Sequence, residues 1–144
     1  GRQAIDSMWL CEWRENCFPS GMSKLQQQFH AFQPVAEALC GALGSEVEKL
    51  GFPQGSVTIN GPERAVYQLV RDPAAGADTL LGEWRDAQGQ RIGMLVLHAD
   101  GSFFAEHDVV RAHPQDRRLF VEAVHAWGRD GRISAEPRLM PMAA

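Results

Sequence analysis

Between residues 56 and 110 short apolar runs alternate with turn-forming dipeptides, and this rhythm limits the chain to an antiparallel meander. Val57-Thr58-Ile59 is β-branched throughout and reads as a first strand, closed by Asn60-Gly61-Pro62-Glu63. Residues 65–70 read as a second strand, followed by a loop of small residues from Asp72 to Asp78. A third strand spans 80–85 and a fourth 91–98, joined by Asp86-Ala87-Gln88-Gly89 with its closing glycine. Asp100-Gly101 is the strongest hairpin signal, and residues 102–110 form the fifth strand.

A two-residue loop at Asp100-Gly101 fixes a register. Val96 then meets Ala105, Met94 meets His107 and Ile92 meets Val109 on one face, while Leu97 meets Phe104 and Leu95 meets Glu106 on the other. Both faces carry large apolar side chains. A sheet wetted on one side alternates cleanly, so this one predicts a cover on each side. Helices supply one cover. The second requires the N-terminal arm, the long loop or another subunit, and a homodimer is the expectation adopted.

Two helices flank the strands in this reading. Ser23 is an N-cap candidate, Leu25, Phe29 and Phe32 recur at helical spacing, and Pro34 interrupts. Val35, Leu39, Leu43, Val47 and Leu50 then make one apolar stripe, ended by the cap glycine Gly51. After Arg111, His113-Pro114-Gln115-Asp116 resembles a helix start. Leu119, Phe120, Ala123, Val124 and Trp127 form the stripe of that C-terminal helix, and Gly128 closes it. Asp130-Gly131 is another tight turn, with room for a sixth strand over residues 132–136. The expected class is therefore α+β: an antiparallel β-meander of about five strands, with that sixth, packed against an N-terminal and a C-terminal helix.

Residues 1–21 lack either periodicity, although they hold Trp9, Trp13, Cys11 and Cys17. They read as a leader or flexible arm ahead of a single α+β domain over 22–144. Cys11 and Cys17 match no metal-ligand pair spacing, and Cys40 sits within a helical stripe as an inert thiol. The formal charge of −4 gives no clustered positive charge for nucleic acid, and no apolar run reaches the ~20 residues of a membrane span. Arg supplies twelve of the 14 basic residues, the habit of GC-rich bacterial coding, and a cytoplasmic location is the expectation.

Four of the five histidines fall between His98 and His125. Alternation turns His107 away from Glu106 and Asp108, and His98 lies ~13 Å along the strand from His107, too far for a shared metal. A histidine–carboxylate acid/base pair would have to come from His107 or His113 with Asp108 or Asp116. Arg111, Arg117 and Arg118 would form an anion pocket only at the start of the second helix. Gly82 and Gly93 leave a bare spot for an aromatic ring near Trp84. No nucleophile motif or phosphate loop is present.

These features favour a non-catalytic protein-interaction or adaptor module, probing a protein partner or a second copy, with no cofactor, no metal, no nucleic acid and no membrane. The alternative is a small ligand-binding protein or enzyme with a pocket between sheet and helices. Its ligand-binding residues would be Trp84, Phe104, His107, Arg111 and Trp127, with no catalytic residue assigned.

Overall fold

The structure is a computed structural model and describes residues 24–72 and 77–142. Helix α1 (Lys24–Lys49) precedes a 3-10 turn (Pro62–Arg64) and six strands. These are β1 (Val66–Asp72), β2 (Ala77–Arg85), β3 (Arg91–Leu97), β4 (Phe103–Ala112), β5 (Leu119–Arg129) and β6 (Arg132–Pro141). They form one antiparallel sheet in sequence order, with α1 packed on one face. Ser23 and the arm over residues 1–21 lie outside the described residues.

The buried stripe is Phe29, Phe32, Ala36, Leu39, Leu43, Val47 and, just past the helix, Leu50; Val35, expected in it, is only half-buried, and Ala36 takes the inward place. Pro34 does not interrupt it. Its side chain is exposed, so the helical hydrogen bond it cannot donate is lost on the solvent-facing side of the helix. Gly51 has φ +95°, and its N–H bonds the Glu48 carbonyl at 3.0 Å, so the helix ends in the left-handed cap that glycine favours.

Three elements depart from the sequence reading. Residues 57–59 are not a strand; Val57 and Ile59 pack against the core from an irregular segment, so β1 is the first strand. The C-terminal helix is absent: residues 113–118 make a loop and Leu119–Arg129 is strand β5. His113 Nδ1 accepts the N–H groups of Gln115 (3.0 Å) and Asp116 (3.1 Å), closing that loop as a turn. A register shift between Val121 and Ala123 changes the phase of β5, which is why its apolar residues imitate a helical stripe. The sixth strand is present and longer than expected.

The third departure is one residue of register. His98 N–H bonds the Ser102 carbonyl at 2.9 Å and Gly101 N–H bonds the His98 carbonyl at 3.0 Å, with Gly101 at φ +91°. The loop is therefore Ala99-Asp100-Gly101, three residues closed by a glycine bulge rather than two. Leu95 meets Ala105, Val96 meets Phe104, Met94 meets Glu106 and Gly93 meets His107. Every residue of β4 changes partner, but apolar side chains still stand on both faces.

Candidate functional site

On the helix side of the sheet, three polar-tipped side chains hold one loop. Tyr67 Oη donates to the Pro62 carbonyl (2.8 Å), and Trp84 Nε1–H donates to the Gly61 carbonyl (2.9 Å). His107 Nε2 accepts the Asn60 N–H at 3.2 Å, with Asn60 Nδ2 also 3.1 Å away. His107 Nδ1–H donates to the Asp108 carbonyl at 2.8 Å, so the ring is neutral with its proton on Nδ1. Burial is the main reason the ring titrates below the ordinary histidine value. The glycines make room for this clamp: a Cβ on Gly82 would meet the Tyr67 ring at 2.6 Å, and one on Gly93 the Trp84 ring at 2.7 Å. The bare spots thus receive rings of the protein's own core. Trp84 and His107 are both almost wholly buried, with ring centroids 5.3 Å apart.

The opposite face is organised differently. One row across the sheet runs Gln68, Leu81, Val96, Phe104, Trp127 and Ser134. The next runs Val66, Glu83, Met94, Glu106, His125 and Glu136. Val96 is 8% exposed yet belongs to no helix-side cluster, so its neighbours on this outer face shield it. Phe104 is half-buried and Trp127 is 39% exposed. No described helix lies over this row.

Two carboxylates beside the band are paired within the face. Glu83 accepts from Arg85 at 3.1 Å and lies 4.0 Å from Arg91; Glu106 pairs with Arg138. His125 Nε2 is 2.9 Å from Glu136, and its ring stands 5.4 Å from Trp127 and 6.4 Å from Phe104. His125 Nδ1 is buried without a hydrogen-bond partner among the described residues. At one end of the band a groove of about 530 Å³ opens beside Trp127, lined also by His98, Ser102, Phe104, Arg132 and Ser134.

The five residues expected to bind a ligand do not converge. Trp84 and His107 lie inside the helix-covered face, Phe104 and Trp127 on the outer face, and Arg111 at the exposed end of β4. Phe104 and Trp127 therefore cannot line a pocket between sheet and helix. Neither proposed acid/base pair forms through side chains: His107 meets the Asp108 carbonyl, and His113 accepts the Asp116 N–H. Arg117 and Arg118 flank no helix start, and Arg118 instead grips the Asp116 carboxylate, whose pKa falls to about 2. Burial, with Glu63 and Glu37 nearby, pushes the Cys40 thiol up to about 12, which leaves it unreactive as a nucleophile. Among the described residues no three His, Cys, Asp or Glu side chains gather as metal ligands, and no helix is long and apolar enough to cross a membrane.

The His125–Glu136 pair escapes the sequence reading. Counting both ways from Asp130-Gly131 as a two-residue turn would have found it, because Arg129 meets Arg132 and His125 meets Glu136. Comparison with protein-family models, with curated proteins and with solved structures returns no match.

Proposed function

We propose that this protein is a non-catalytic interaction module that docks a protein through the outer face of its sheet. The carrying observation is the row Leu81, Val96, Phe104 and Trp127, apolar and contiguous across four strands with no described element over it. Trp127 is the exposed tip of the row, with Leu81 and Phe104 half-buried and Val96 buried beside it, and an apolar patch of this kind marks a binding site. Aromatic residues at its core and paired charges around it match the composition of protein interfaces. A nucleic-acid ligand fits less well, because Arg85 and Arg138 beside the band are committed to carboxylates and the chain carries a formal charge of −4. A bacterial cytoplasmic setting belongs to the same proposal.

The test is a photo-crosslinking amino acid placed at Trp127, with Glu37 on the exposed side of α1 as the control position. Cells expressing the full chain are irradiated and the adducts sized. Discrete protein adducts from position 127 and none from position 37 are expected. An absence of protein adducts at 127, or the same ladder from both positions, contradicts the docking face.

A further inference from the structure

We infer that the occupant of the outer face is a second copy of this chain, packed sheet against sheet about a two-fold axis with Phe104 and Trp127 in the buried core. This rests on the docking reading above and names its partner.

Three properties of the face select a second copy. The first is charge. Glu83 is matched by Arg85 and Glu106 by Arg138 on the same face. A face with a strong sign selects a partner of opposite sign. A face whose carboxylates are matched by its own arginines meets its own image without strong repulsion. The second is shape. In a two-fold interface each patch must carry both the projection and the recess. Trp127 projects, and the groove of about 530 Å³ lies directly beside it, so each copy offers a ring and a place to receive one. The third is size. Six strands spaced ~4.8 Å apart, over about seven residues of ~3.3 Å each, give a footprint of roughly 650 Å² before side-chain relief. Specific interfaces bury about 600–1,000 Å² per partner, so the whole face reaches the lower end of that range. Two twisted sheets packed this way align at about −30° and sit ~10 Å apart.

Sedimentation equilibrium of the purified full chain between about 1 and 100 μM tests the inference. The mass is expected to rise from 15.9 kDa toward twice that value. Trp127→Glu is expected to weaken the dimer at least about thirtyfold, as for an interface hot spot. Phe104→Ser, a milder change, should weaken it in the same direction, and circular dichroism confirms that each variant is folded. Glu37→Gln should change nothing. A monomer across the whole range overturns the dimer, as does a dimer indifferent to both outer-face substitutions. The crosslinker at position 127 separates the remaining outcomes. A product of twice the chain mass, joined to the partner's outer face, supports the second copy. An internal crosslink to residues 1–23, or an adduct with another protein alone, overturns it. The last result leaves the docking reading standing, whereas the absence of any adduct removes both.

Discussion

His107 does its work by staying neutral. Its Nε2 lone pair is needed by Asn60 N–H, and a proton there would remove the acceptor and place a charge in the core. Above pH 6.5 the ring is neutral in both folded and unfolded chains. As pH falls below 6.5 the unfolded chain takes up a proton that the folded chain refuses, because burial lowers the folded value. Stability should therefore drop with pH from about 6.5 downward until the folded value is reached, at up to about 1.4 kcal/mol per pH unit. Urea titrations at several pH values check this, and His107→Gln should flatten the slope; an unchanged slope contradicts it. Val110 offers an independent test. It sits at φ +51°, a conformation costly for a β-branched residue, where the β4–β5 register shifts. Its side chain is 58% exposed, so little packing is lost on removal. Val110→Gly should stabilise by about 1 kcal/mol in thermal or urea unfolding, the released strain outweighing the added chain entropy. At this scale the sequence was readable where local chemistry decides. Gly51, Gly89 and Gly101 all take positive φ at turns or caps. The clamp on Asn60, Gly61 and Pro62 was not readable, because its residues come from strands brought together only by the completed sheet.

The strands differ in how plainly their sequences announce them. Ala87-Gln88-Gly89 and Ala99-Asp100-Gly101 close with the same hydrogen-bond pattern: Asp86 N–H to the Gln90 carbonyl and His98 N–H to the Ser102 carbonyl, both 2.9 Å. Asp130-Gly131, by contrast, has both residues at positive φ (+54° and +78°) and makes a two-residue turn. One dipeptide thus sits in two loop lengths, with Asp130 but not Asp100 at positive φ, so the Asp-Gly signal alone does not fix the register. β5 was hidden for another reason. Val121, Val124 and Ala126 are buried, as is Ala123 across the bulge, so apolar residues fall on both sides of the strand and the period of two is lost. The register makes a prediction about faces. Leu95 is fully buried under α1, and Leu95→Ala should cost about 2–5 kcal/mol. Phe104 is one register step away on the outer face, and Phe104→Ala should cost under about half as much in the dilute protein. Equal losses in urea unfolding would mean that the two faces are buried alike.

At the scale of the molecule, one long helix meets one broad sheet among the described residues, and it covers only one face. The helix stripe from Phe29 to Leu50 packs with inward residues of β1 to β6. The expected second helix would have added cover, but its residues are spent on β5, which widens the sheet instead. The two-sided greasiness legible in the 80–110 stretch therefore survives a register error and a lost helix. It depends on composition on both sides of the strands rather than on exact pairing. What sequence alone could not place is the split of the aromatics. Trp84 goes inward to hold Gly61, while Phe104 and Trp127 go outward to frame the band. Carbene footprinting of the dilute full chain, read by peptide mass at Trp84 and Trp127, tests that split most directly. Heavy labelling at Trp127 and near-zero labelling at Trp84, with the Trp127 label falling as concentration rises, is the result expected of an open docking face. A Trp127 as shielded at high dilution as Trp84 would contradict it.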